Sequence, residues 1–287
     1  MKSAGASTRL KDEVLGGDFF AIPRGARAAA RAPSASAVWR DARPIEGELF
    51  SPERLEEHAR TAAAGHAIAA GAPRHRALGK RLSDNADALR EAYQALARAA
   101  AAREPVSPTC EWLIDNYHVA ERQIRDIRVD LPAGFYRRLS KLAAGALAGY
   151  PRILAAAWDY VAHTGSRFEP NTLVRYVRAY QDVQPLSIGE LWAVPITLRI
   201  LLVENLRRTA AAALAARAAR MRAAASAARL LNAAVAGAED LSRELAAMRA
   251  ERLDNAFVVE LAMRLRDQDP SVAPALDWLD QRMAVER

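Results

Sequence analysis

A chain of 287 residues is long enough for one large or two small domains. Its 41 Lys and Arg against 34 Asp and Glu leave a formal charge of +7, nearly all from arginine, since lysine stands only at Lys2, Lys11, Lys80 and Lys141. Bases and acids are mixed along the chain, which argues against a nucleic-acid footprint, and the single Cys110 excludes an intramolecular disulfide and a cysteine-built zinc cluster.

Alanine, arginine and leucine dominate and β-branched runs are scarce, so the expected fold class is all-α. Residues 1–48 mix Gly, Ala, Ser, Arg and Pro without period and read as a disordered leader; Arg27 and Arg31 interrupt any secretory apolar segment. Residues 49–287 are expected to form a multi-helix bundle, with an alternative division into a core at 49–206 and an extended helical part at 207–287. Ser51-Pro52-Glu53 starts the first helix, which runs to about Ala70 before Gly71-Ala72-Pro73. A second helix, roughly 76–102, carries Leu78, Leu82, Leu89, Tyr93 and Leu96 at helical spacing. Ser107-Pro108 opens a third with Leu113, Tyr117, Ala120, Ile124 and Ile127 on one stripe.

A short helix is expected at 135–142, another from Gly149-Tyr150-Pro151 to near His163, and another from Pro170. Ser187-Ile188-Gly189-Glu190 spells a capping box, and Pro195 should kink the helix it opens. An Ala/Arg-rich stretch from about 206 to 236 favours one long helix punctuated by Gly237. Leu241, Leu245, Met248, Leu253, Val258, Leu261 and Leu265 continue an amphipathic pattern, and a final helix spans 272–283. The most apolar stretch, 188–203, contains Glu190, Pro195 and Arg199 and is too short to span a bilayer, so a soluble chain is expected.

Chemistry-bearing patterns are few. No P-loop, GxGxxG, GxSxG or HExxH occurs, and the five histidines show no ligand spacing. Asp267-Gln268-Asp269 matches the DxD of sugar-nucleotide transferases but lacks a preceding strand, so it is read as punctuation at a helix end. Glu111, Asp115, His118 and Arg122 share a helix face at spacings of four, three and four. They are read as an ion-pair ladder, with acid–base chemistry as the alternative. Glu190 and Trp192, followed by Glu204-Asn205, offer the indole, acid and amide that a sugar cleft uses. The competing reading places Trp192 in the core and leaves Glu190 as the capping-box acid. The candidate ligand-binding residues are therefore Trp112, Asp115, Glu190 and Trp192. Catalytic residues, metal ligands and cofactors are not expected.

Several separated sequence words resemble one family. Glu111-Trp112-Leu113-Ile114-Asp115-Asn116-Tyr117-His118, Asp130-Leu131-Pro132-Ala133-Gly134-Phe135-Tyr136-Arg137 and Leu147-Ala148-Gly149-Tyr150-Pro151-Arg152 come first. Gln123-Ile124-Arg125-Asp126-Ile127-Arg128, Tyr180-Gln181, Pro185-Leu186-Ser187-Ile188-Gly189-Glu190-Leu191-Trp192-Ala193 and Leu202-Val203-Glu204-Asn205-Leu206-Arg207-Arg208 complete the set. Together they resemble the N-terminal helical region of bacterial cyclic β-1,2-glucan synthases, best over 105–270. Members of that family are large inner-membrane proteins that use UDP-glucose to build and cyclise a glucan. The resemblance implies a non-catalytic module on the cytoplasmic side of the inner membrane, partnered by the glucosyltransferase membrane domain of the same or another chain. None of the family's catalytic motifs carries over. Met1 is expected to be a natural start and Arg287 to fall at a domain boundary. The arginines of 207–229 are expected to meet either an anionic membrane surface, a second candidate partner, or the transferase surface. A carbohydrate- or UDP-glucose-binding module and a stand-alone basic interaction protein are the rival functions.

Overall fold

The computed structural model describes residues 39, 41–70, 78–131, 134–266, 268 and 270–286. They are all-α: ten α-helices, two short 3-10 turns and no strand among the described residues. The helices are α1 (Pro52–Gly65), α2 (Leu78–Ala101), α3 (Pro108–Asp130), α4 (Phe135–Arg138), α5 (Arg152–His163) and α6 (Pro170–Gln181). There follow α7 (Ile188–Ala236), α8 (Ala238–Ala247), α9 (Asn255–Leu265) and α10 (Ala273–Glu286).

The starts obey local chemistry. Ser51 Oγ accepts a hydrogen bond from the Arg54 amide at 3.3 Å, with Pro52 in the first turn. At α7, Ser187 Oγ accepts from the Glu190 amide at 3.2 Å while the Ser187 amide donates to Glu190 Oε2 at 2.9 Å, the reciprocal capping box expected from the sequence. At its other end Gly237 (φ 138°) stops the helix in a backbone region that side chains avoid.

Two expected helices are shortened by one tertiary pairing. α1 ends at Gly65 rather than Ala70, and α4 ends at Arg138 rather than 142. The released backbone pairs instead: the Ala69 amide donates to the Lys141 carbonyl and the Ala143 amide to the Ala67 carbonyl, each at 2.9 Å. Isolated antiparallel bridges, Ile68 with Leu142 and Lys141 with Pro151, complete the patch. Ladder hydrogen bonds between separated segments thus override the helix propensity of Ala67, Ala69 and Ala70. Similarly, the amphipathic run 241–265 divides into α8 and α9, with Asp254 capping α9 through the Phe257 amide.

α7 organises everything else. Its 49 residues run unbroken through Pro195 and across 206/207, the boundary of the alternative two-part division. Helices α2, α3, α5, α8 and α9 all pack on it, while α1 packs on α6 and α5. One core cluster joins α1–α6 to the first part of α7, as far as Ala210. A second begins at Ala219 and joins α7 to α8, α9 and α10 through Leu230, Leu241, Phe257, Leu261 and Leu279. Small alanines at 219, 223 and 227 let the partner helices approach closely, so alanine supplies proximity and, Leu230 apart, most of the large residues come from α8–α10.

The expected leader also needs correction. Trp39 and residues 41–48 belong to the packed structure: Ile45 is buried, and the Trp39 ring lies 5.5 Å from Trp158 and 5.6 Å from Tyr150. Residues 1–38 and Arg40, which carry the rest of that expectation, lie outside the described residues. Polar anchoring rather than periodic hydrophobicity holds this segment, so pattern reading has little to find there.

Because Phe257 is wholly buried and Val235 is 89% exposed, truncating them should differ sharply. Phe257→Ala is expected to cost about 3–5 kcal/mol in urea unfolding, against less than about 0.5 kcal/mol for Val235→Ala.

Candidate functional site

The four expected site residues do not converge. Glu190 is buried whereas Trp192, two positions on and nearly opposite around the helix, is 77% exposed. The alternative placement of Trp192 in the core is therefore overturned as well. Trp112 is 53% exposed on α3, one turn before the exposed Asp115. The expected ladder is not formed: no ion pair within 4.0 Å joins Glu111, Asp115, His118 and Arg122 among the described residues. His118 Nδ1 instead lies 3.1 Å from the Asp115 carbonyl. Water competes well for four such exposed side chains, and a pair contributes only a few tenths of a kcal/mol. Asp267 and Asp269 of the DxD pattern lie outside the described residues.

Glu190 is committed twice. Besides its capping role it accepts a bidentate pair from Arg152, Nε to Oε1 at 2.7 Å and Nη2 to Oε2 at 2.8 Å. Arg152 also donates to Gln184 Oε1 at 2.9 Å and to the Pro185 carbonyl at 2.8 Å. Gln184 Nε2 in turn donates to the His66 carbonyl, and His66 Nδ1 meets the Tyr180 hydroxyl at 2.9 Å. One guanidinium thereby ties the start of α5, the α6–α7 connection and the end of α1. Burial works to raise the Glu190 carboxyl, but the Arg152 and Ser187 bonds outweigh it and hold it below its ordinary range.

The denser site is centred on Glu204, which is fully buried at mid-α7. Arg81 of α2 donates bidentately, Nε at 2.8 Å and Nη2 at 2.6 Å. Asn85 Nδ2 adds 2.8 Å, Arg208 Nε 2.6 Å and Arg207 Nη2 3.1 Å. Burial again pushes upward, yet these donors take the carboxyl down to about 2. The guanidiniums of Arg81 and Arg208 face Trp39 and Trp158 at 5.2 and 5.1 Å, and Arg208 Nη1 reaches the Arg43 carbonyl at 3.0 Å. Beside them Asn205 Oδ1 accepts from the Ile45 amide at 2.5 Å, and Asn205 Nδ2 donates to Ser166 Oγ at 2.8 Å. The Val203-Glu204-Asn205-Leu206-Arg207-Arg208 word is a structural hub. Its one sequence signal was a cluster of charged and amide residues on a helix otherwise rich in alanine.

Between α3 and α7 runs an open groove of about 770 Å³, largely apolar. Trp112 and Val119 form one wall, and Leu202 and Leu206 the other. Where α3 ends, Arg199 Nη1 meets Asp130 Oδ2 at 3.2 Å. Of the expected residues, this groove takes in Trp112.

The arginines of 207–229, expected to meet anionic lipid or the transferase surface, are mostly engaged. Arg207 and Arg208 bind Glu204, Arg217 pairs with Glu104, Arg222 with Glu251 and Asp254, and Arg229 with Glu244. Arg220 is the remaining one. Among the described residues no group of three or more His, Cys, Asp or Glu is placed to hold a metal, and no helix is long and apolar enough to cross a membrane.

Fold and sites together define an all-helical module in which buried carboxylate–guanidinium clusters fasten helices to one long spine. Cyclic beta-(1,2)-glucan synthase NdvB of Rhizobium meliloti (strain 1021) is 36% identical to it over 200 residues. That match takes in 70% of this chain but only 7% of the synthase, so the chain is similar to a part of a cyclic β-1,2-glucan synthase. No family model matches the chain.

Removing one partner of a buried ion pair strands the others, so Glu204→Gln should cost about 3–5 kcal/mol by denaturant unfolding. The pH dependence has a definite sign. The Glu204 carboxyl is lowered on folding to about 2 from 4.5, so its contribution is complete above about pH 5 and drains away as pH falls toward about 2. Thermal melts of the wild type should show that slope, and Glu204→Gln should flatten it.

Proposed function

We propose that this chain is a non-catalytic helical module of cyclic β-1,2-glucan synthesis. Its role is to pack against the UDP-glucose-dependent glucosyltransferase, on the same or another polypeptide, at the cytoplasmic face of the inner membrane. The observation that carries this reading is the 36% identity over 200 residues to a part of a cyclic β-1,2-glucan synthase. The geometry supports a scaffolding role. Both buried carboxylates, Glu190 and Glu204, have their oxygens occupied by guanidiniums, and a general acid or base needs an oxygen free to exchange a proton with substrate. Glutamates held this way act as rivets. Contact with anionic lipid has weaker support, because most of the arginines at 207–229 already have acidic neighbours.

The test is affinity capture of the tagged chain from membranes of its source cell, together with cyclic-glucan measurement after deletion of its coding region. Recovery of a glucosyltransferase domain and loss of cyclic glucan are expected. Recovery of no such domain, with glucan unchanged, overturns the proposal.

Carbohydrate recognition is a second reading, favoured by the exposed indoles of Trp112 and Trp192. Glu190, however, is buried and turned inward to Arg152, on the opposite side of α7 from the Trp192 indole. Titration calorimetry with short β-1,2-glucans is expected to give no saturable heat at millimolar ligand; saturable heat abolished by Trp112→Ala would establish that reading instead.

A further inference from the structure

The outer face of α7 carries a regular pattern that its own helix partners leave uncovered. Ile188, Trp192 and Pro195 stand at spacings of four and three and are exposed, the first two by 74% and 77%. The same spacing continues through Arg199 to Leu202, Leu206, Thr209 and Ala213, and these four line the groove. From 188 to 213 a helix of 3.6 residues per turn returns to within about 20° of its starting direction, so protrusion and groove lie on one face. The change of character has a simple cause. α3 runs antiparallel to α7, with Glu104 just ahead of it paired to Arg217 and its last residue Asp130 paired to Arg199. Beyond Arg199 there is no α3 left to flank α7, so a recess with a second wall gives way to bare projecting side chains.

We propose that this face is the contact between two copies of the chain, paired antiparallel about a two-fold axis near Ile200–Leu201. Each copy inserts Ile188 and Trp192 into the α3–α7 groove of the other. Protrusion and recess lie about equally far from that axis in opposite directions, and a two-fold brings each onto the other, as an isologous interface requires. Position 192 then faces 209 of the second copy, 195 faces 206, and 188 faces 213. Alternating core positions pair across an antiparallel two-helix seam in the same way.

Charge is matched at the axis. Each copy brings Arg199 and Asp130 there, both partly exposed, so the meeting pairs carry no net charge. The area is that of a small interface. One tryptophan and one isoleucine offer on the order of 300 Å², the receiving groove on the order of 200 Å², and symmetry doubles both. The total of about 1,000 Å² is the least that a specific, transient contact needs. The dimer does not depend on the glucan-synthesis role.

Sedimentation equilibrium of the full chain tests this. Between about 1 and 100 μM the mass should rise from 31.2 kDa toward twice that value. Trp192→Asp, a change at an exposed position, should keep the helical circular dichroism and remain a monomer throughout. Geometry is tested separately with Trp192→Cys combined with Thr209→Cys. Within one chain those positions are about 25 Å apart along α7, beyond disulfide reach. Cys110 lines the receiving groove, so all three variants also carry Cys110→Ala; oxidation should then give a covalent dimer from the double variant and far less from either single variant. A wild type that stays at 31.2 kDa overturns the proposal and leaves the face to another partner. Association that survives Trp192→Asp, or equal cross-linking by single and double variants, overturns it as well.

Discussion

A carboxylate taken out of water in the middle of a long helix must be given compensating donors, and the arrangement around Glu204 is the consequence. Desolvating one charge costs several kcal/mol, recovered only when geometry and hydrogen bonding are nearly complete. Arg81 fixes α2 against α7, Arg208 and Arg207 reach back from the next turn, and Asn85 fills the remaining approach. The surplus positive charge is spread over the faces of Trp39 and Trp158 and onto the Arg43 carbonyl. The path of residues 41–48 is thereby tied to a charge on α7 more than a hundred and fifty positions later, and Asn205 repeats the tie through both backbone atoms of Ile45.

Glu190 applies the same device at the start of α7. Its capping box would form in an isolated helix; the bidentate contact with Arg152 requires the fold. Two riveted carboxylates fourteen residues apart fix the inner side of α7 against α5 and α2, leaving its outer side for other contacts. Charge is used inside to specify which helices meet, in a core where alanine provides little area of its own. The distal cluster works differently. There the alanines of α7 only make room, and Phe257, Leu241, Leu261 and Leu279 supply the apolar bulk.

Much of this was legible from local pattern. The starts at Ser51, Ser107 and Ser187, the stripes of α2 and α3, and the stop at Gly237 follow from proline, capping residues and periodicity, because those signals act within one or two turns. Where α1 and α4 ended was not legible, since their final residues were drawn into backbone pairing with each other. Trp192 looked like a core residue because large indoles usually are; its exposure follows from α3 stopping at Asp130, a fact about a neighbouring helix. Of the expected binding residues, Trp112 alone lines the α3–α7 groove, because sharing a face of α3 with Asp115 does not bring either near Glu190 or Trp192.

By itself, then, the sequence determined an all-helical chain, the positions where most helices begin, the long Ala/Arg-rich spine, and the similarity to a part of a cyclic β-1,2-glucan synthase. Those properties are local, or are read letter by letter. Tertiary structure alone decided which acids would be buried, which arginines would be consumed by them, and which side of α7 would remain uncovered. Each of these depends on what lies across a helix interface, and helical periodicity says which residues share a face without saying what that face will meet.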